Sequence, residues 1–151
     1  MKIVVLAGGT STERAISCVS GKGICTALRQ KGHQAILVDI FCGLEDVDWE
    51  KPFPEEYDVE AAFDYIKGFD EKIAELKASR RNFFGPNVLS LCEQADVVFL
   101  GLHGANGEDG KVQAAFDLMG IKYTGTGYLS SAMAMDKGIT KQIFNMNHVP
   151  M

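Results

Sequence analysis

Short apolar runs alternate with amphipathic stretches along this chain, and the alternation predicts an α/β fold. Residues 2–7 are mostly Ile, Val and Leu and alternate little, the pattern of a central strand buried on both faces. After Gly8-Gly9, small or apolar residues recur at Ile16, Val19, Ser20, Gly23, Ile24, Ala27 and Leu28. That spacing predicts a helix packed on a sheet through this face, with Gly23 allowing a close approach. Gly32, after Lys31, supplies the helix stop, and Ala35-Ile36-Leu37-Val38-Asp39 reads as a second strand. A right-handed strand–helix–strand unit therefore opens the chain. A third uncharged run, Val97-Val98-Phe99-Leu100, lies within a strand predicted over 96–100.

Residues 41–86 break this rhythm. Trp49, Pro52, Phe53, Pro54 and Tyr57 mix with acids, and a helical pattern then runs through Val59, Ala62, Phe63, Ile66, Ile73 and Leu76, interrupted at Gly68. The segment reads as an insertion carrying one or two helices. Asn82-Phe83-Phe84-Gly85-Pro86 is a turn, and Asn87 is placed to cap a short helix reaching about Cys92. Beyond the third strand, a helix is expected from Lys111 to Met119, ending at Gly120. A short strand follows at Ile121-Lys122-Tyr123, and Gly125-Thr126-Gly127 turns the chain. One helix is expected from Tyr128 to Met135, and Asp136 caps another carrying Lys137, Lys141 and Phe144. Val149-Pro150-Met151 resembles the lead into a further strand, so the chain is expected to be cut at a domain boundary.

Composition narrows the classes. With 151 residues, 46% of them hydrophobic, the chain can bury a core of one domain. A net charge of −5 and no basic cluster beyond Arg80-Arg81 argue against holding nucleic acid by phosphate neutralisation. The apolar start is too short for a signal peptide or a membrane span. The four cysteines include no Cys-x-x-Cys pair, which argues against a zinc site. Cys18 and Cys25, seven apart on one helical face, read as buried free thiols of a cytoplasmic protein.

Two glycine-rich loops carry the candidate chemistry. They follow the first and third strands, at the sheet edge where open α/β proteins bind ligands. In the first, Thr10 and Glu13 fit a capping box, which accounts for Glu13 without any ligand; alternatively Glu13 offers a carboxylate to a ligand ammonium. In the second, Gly101 to Gly110, His103 lies in a loop rather than on an apolar helix face. It is either a turn histidine bonded to backbone or a donor to an anion. Glu108 and Asp109 suit the first turn of a helix by its dipole, while Glu108 is also placed to orient His103. Gly8-Gly9 is not Gly-x-Gly-x-x-Gly, and Asp39 only weakly echoes a ribose-binding acid, so a dinucleotide site is poorly supported. Lys137 reads as a solvated lysine or as a phosphate contact.

Three ordered motifs carry a family resemblance. Leu6-Ala7-Gly8-Gly9-Thr10-Ser11-Thr12-Glu13-Arg14, with Ser17 following, resembles the first signature of the D-alanine–D-alanine ligases. Leu102-His103-Gly104-Ala105-Asn106-Gly107-Glu108-Asp109-Gly110-Lys111-Val112-Gln113 is similar to their second. Tyr123-Thr124-Gly125-Thr126-Gly127, Ser130-Ser131-Ala132 and Met135-Asp136-Lys137 resemble the segment leading into their ATP-grasp domain. The resemblance implies a Rossmann-like, three-layer pre-ATP-grasp domain over residues 1–135, with the insertion at 41–86 and the start of the central ATP-grasp domain at 136–151.

It also implies an activity: ATP-dependent joining of two D-alanines through an acyl phosphate, for peptidoglycan synthesis in the cytoplasm. Glu13 would bind the first D-alanine's ammonium, His103 would stabilise charge on its carboxylate, Glu108 would orient His103, and Lys137 would contact ATP phosphates. Magnesium and most ATP contacts would lie in further domains, with no metal site in this stretch, so the 151 residues alone are expected to be inactive. A homodimer without nucleic-acid or membrane partners is implied too. The alternatives are a relative using D-lactate or D-serine as second substrate, and a non-catalytic α/β ligand-binding module.

Overall fold

The computed structural model describes residues 1–150. Three parallel strands, β1 (Lys2–Ala7), β2 (Gln34–Asp39) and β3 (Val97–Leu100), form one sheet in the order β2-β1-β3. β1 is central, as its unbroken apolar run predicts. Val98 extends the sheet by an isolated parallel bridge to Tyr123. The strand expected at 121–123 is therefore a single bridge.

Alternation along the strands divides the core in two. Ile3, Val5, Ala7, Ala35 and Leu37 face helices α1 (Arg14–Gln30) and α2 (Val59–Lys67) on one side. On the other side, Val4, Leu6, Ile36, Val38 and Val98 meet Val88 and Leu91 of one later helix and Val112 and Phe116 of another. Two helical layers around one sheet make the three-layer α/β architecture that the family resemblance implies. α3 (Ile73–Ser79), α4 (Val88–Gln94), α5 (Lys111–Met119), α6 (Tyr128–Met135) and α7 (Lys137–Met146) complete the chain. Asp136 caps α7 as expected, its side chain accepting from Ile139 N at 3.0 Å. Asn87 does not cap α4; it stands at φ 63 and its amide donates to Leu44 O at 2.8 Å, tying the end of the insertion to its start.

The insertion packs onto the exposed edge of β2. Tyr57 Oη accepts from Leu37 N at 3.0 Å, and Arg29 donates to Ala35 O at 2.7 Å while stacking over the Tyr57 ring. These contacts occupy polar groups that an open edge strand would otherwise present.

α1 buries a different face from the one its apolar residues mark. Arg14, Ser17, Cys18, Gly21 and Cys25 are buried, while Ile16 and Val19 are 57% and 63% exposed. Gly21, not Gly23, is the close approach: a Cβ there would lie 2.5 Å from Ala7 Cβ, and one on Gly23 would meet nothing. All four cysteines are free and buried. Burial pushes the Cys18 and Cys25 thiols up to about 11, and those of Cys42 and Cys92 up to about 12.

Candidate active site

Because the strands are parallel, the loops that follow them emerge on one edge. The first, residues 8–13, turns through positive φ at Gly8 and Gly9. Gly8 has no room for a side chain: a Cβ would lie 2.2 Å from Asp39 Oδ2. Asp39 is fully buried at the end of β2. Its Oδ1 accepts from the backbone N–H of Gly9, Phe41 and Cys42, and its Oδ2 pairs with Arg14 Nη1 at 2.5 Å. Arg14 also donates to Gly9 O at 2.9 Å, to Ile66 O at 3.1 Å and to Asp70 at 3.1 Å. Asp39 is thus a structural anchor that ties the first loop to the second strand's turn. The pair is buried, yet its hydrogen bonds are numerous enough to offset much of the desolvation cost.

The capping box anticipated at Thr10 and Glu13 does not form. α1 starts at Arg14, Glu13 is its N-cap residue, and the Glu13 side chain makes no cap hydrogen bond. Ser11 takes the local role instead, its Oγ accepting from Glu13 N at 3.2 Å. The Glu13 carboxylate is left exposed and uncommitted among the described residues. The structural explanation for a glutamate at this position is therefore removed.

The second loop, Gly101–Gly110, leaves β3 and enters α5. Ser17 stitches the two loops where they begin: its Oγ accepts from Gly8 N at 3.0 Å and donates to Gly101 O at 2.7 Å. Ser11 Oγ donates to His103 O at 2.7 Å. Gly104 lies so close to the first loop that a Cβ on it would be 3.2 Å from Ser11 Cβ and 3.5 Å from Glu13 Oε1. Its φ of +73° also favours glycine. The two loops therefore meet, and Glu13 lies beside the His103–Gly104 segment.

His103 is half-buried, with Nε2 3.2 Å from Ser20 Oγ on α1. Glu108 makes no hydrogen bond to the ring; its Oε2 accepts from Gly104 N at 2.7 Å. It fixes the loop that carries His103 rather than the imidazole itself. Asp109 closes the loop, accepting from Asn106 N at 3.0 Å and from Lys111 Nζ at 2.9 Å. Burial alone would raise the Asp109 carboxyl, but the Lys111 and amide hydrogen bonds outweigh it and hold it below its ordinary value.

Glu108 also lines a cavity of about 360 Å3 with Leu102, Gln113, Thr124, Ser131 and Met135. Gln113 Nε2 donates to Gly107 O at 2.8 Å, and its buried Oε1 has no hydrogen-bond partner. Lys137 follows this wall by two residues, exposed at the start of α7. Among the described residues no three His, Cys, Asp or Glu side chains cluster as a metal-holding group. The carboxylates nearest the loops are bound to amides and cations, apart from Glu13. The structure thus brings Glu13, His103 and Glu108 to one place and leaves Lys137 on the α6–α7 hairpin. Arg14, Ser17 and Ser20 have no site role in the sequence reading, and Asp39 enters it only as a weak echo of a ribose-binding acid; the serine spacing along α1 is the available signal.

Comparison with known proteins identifies the family. A family model described as the D-ala D-ala ligase N-terminus matches residues 2–126. The chain is 48% identical over 149 residues to the D-alanine–D-alanine ligase of Lacticaseibacillus casei strain BL23, covering 95% of this chain and 41% of that protein. It is 46% identical to that of Pediococcus pentosaceus, covering 99% of this chain and 44% of the relative. The chain thus spans about two fifths of the length of the curated relatives it matches. Its fold is similar to that of a Bacillus anthracis D-alanine–D-alanine ligase solved with ATP, at a TM-score of 0.63 and 24% identity, covering 98% of this chain and 37% of the other. No helix of the described residues is long and apolar enough to cross a membrane. With the profile match spanning both glycine-rich loops, the chain belongs to the D-alanine–D-alanine ligase family and corresponds to its amino-terminal part.

Proposed function

We propose that this chain is the substrate-holding amino-terminal domain (residues 1–135) and the first part of the central ATP-grasp domain (136–151) of an ATP-dependent D-alanine–D-alanine ligase. The observation that carries the reading is the uncommitted Glu13 carboxylate lying against Gly104, the chain neighbour of His103. A carboxylate beside a hydrogen-bond donor matches the two ends of an amino acid. Glu13 takes the ammonium of the first D-alanine, and His103 donates to its carboxylate. Glu108, through Gly104 N, holds the backbone that presents His103.

A carboxylate oxygen of the first D-alanine takes the γ-phosphoryl group of ATP, whose bond to the β-phosphate breaks, giving an acyl phosphate and ADP. The amine of the second D-alanine then attacks the acyl carbon, the bond to phosphate breaks, and the amine loses a proton. His103 meets the negative charge that grows on the reacting carboxyl group. Lys137, exposed at a helix start, fits a contact with ATP phosphate. Magnesium and most ATP contacts are held mainly by other parts of the longer protein. The product serves peptidoglycan synthesis, a cytoplasmic step, and the protein works as a homodimer.

The test uses the full-length protein, ATP and D-alanine labelled with 18O in its carboxyl group. The reading expects D-Ala–D-Ala together with phosphate that carries label from the substrate. Phosphate release without label, or none with D-alanine, would refute it. D-lactate and D-serine in the second position separate this activity from that of the related ligases.

A further inference from the structure

His103 has a ring neighbour with no part in the scheme above. Ser20 lies seven residues beyond Glu13 on α1, two helical turns along nearly the same face. Its Oγ is 3.2 Å from His103 Nε2, and among the described residues this is the hydroxyl's sole hydrogen bond. The backbone around His103 is held on both sides, by Ser11 Oγ on its carbonyl and by Glu108 on the next N–H, each at 2.7 Å. With the backbone fixed, what remains free is rotation of the side chain and the choice of which ring nitrogen carries the proton. Ser20 acts on both.

We infer that Ser20 is a positioning residue that fixes the His103 ring and keeps the proton of the neutral imidazole on Nδ1. A serine hydroxyl has one proton to give and two lone pairs to share, and here it is assigned the donor's part toward Nε2. Donation from Ser20 Oγ makes Nε2 the acceptor and leaves Nδ1–H as the donor. α1 then serves as a ruler: Glu13 at its start meets the ammonium, and Ser20 two turns on aims the donor for the carboxylate. The catalytic part of this inference rests on the proposed ligase reading; the tautomer itself does not.

The experiment uses the full-length protein labelled with 15N in its histidines, with long-range 1H–15N spectra recorded well above the usual imidazole pKa of about 6.5. The His103 signals are identified by their loss in His103→Gln. Wild type is expected in the Nδ1–H form. Ser20→Ala is expected to move toward the Nε2–H form that unconstrained histidine favours. Ser20→Thr, which keeps the hydroxyl, restores the wild-type pattern. In the D-alanine-dependent assay, Ser20→Ala lowers kcat about 3- to 10-fold, the size of one lost hydrogen bond, with the KM for ATP unmoved. A wild-type ring already in the Nε2–H form, or a tautomer unchanged in Ser20→Ala, would overturn the inference. An inactive wild type would refute the ligase reading while the spectra still decide the tautomer.

Discussion

Arg14 organises the first loop although its sequence context marks it only as the neighbour of Glu13. Its guanidinium reaches Asp39, Gly9 O, Ile66 O and Asp70, so one side chain joins α1, the first loop, the end of β2 and the insertion. Burial disfavours the cation, but the charge and hydrogen bond of Asp39 outweigh this and raise its pKa further. Removing the guanidinium would strand a carboxylate that has no solvent exposure. Arg14→Ala is therefore expected to cost about 3–5 kcal/mol in urea unfolding, and Asp70→Asn, at a third-exposed site, no more than about 1 kcal/mol. Equal stability of wild type and Arg14→Ala would contradict this account. For Asp70, burial opposes ionisation, but Lys67 and Arg14 overcome it and lower the pKa. Its contribution is therefore present above the ordinary carboxylate value and is lost as pH falls through the lowered one. At this scale the sequence showed which residues are chemical but not their partners. Asp39 and Glu13 both had local readings, and only the fold shows that Asp39 is consumed by structure while Glu13 is spared.

Helix α1 shows where pattern reading fails at the scale of an element. Its start lies at Arg14 and not just after Thr10, but its end was legible: the helix stops where Lys31-Gly32 predicts, with Gly32 at φ +83. Its buried face was not. Apolar periodicity picks Ile16, Val19 and Gly23, whereas the helix turns Arg14, Ser17 and Gly21 inward beside the cysteines, because Arg14 and Ser17 bond the loops and Gly21 clears the sheet. Ile24 and Leu28, shared by the predicted face, do pack at its margin. Two alanine substitutions separate the readings. Gly21→Ala forces a methyl against Ala7 and is expected to destabilise by about 1–3 kcal/mol. Gly23→Ala enters open space and is expected to stabilise by about 0.5–1 kcal/mol through helix propensity. Thermal or denaturant unfolding of both variants checks this, and the opposite ordering would restore the Gly23 face. α5, α6 and α7 were legible throughout, because glycines and Asp136 bracket them with specific backbone chemistry.

The whole molecule follows from three parallel strands whose carboxyl ends share one edge. That much the apolar runs made readable, and it placed both glycine-rich loops together before any side-chain geometry was known. The insertion was readable only as helical. Its role as cover for the β2 edge and as the source of Asp70 depends on long-range contacts that no local pattern encodes. Ser17 makes the same point, since its bonds to Gly8 and Gly101 span distant parts of the chain. The central claim is that the two loops form one seat for the first D-alanine, with Glu13 as its cation-binding wall. Its most direct test is the D-alanine dependence of phosphate release by the full-length protein and its Glu13→Gln variant. Loss of one charge-assisted hydrogen bond is expected to lower kcat/KM for D-alanine about 10- to 150-fold. The melting temperature should stay within about 2 °C, because the carboxylate is exposed and carries no internal bond. A variant with the wild-type kcat/KM would contradict the assignment of Glu13 and, with it, the seat the two loops are proposed to form.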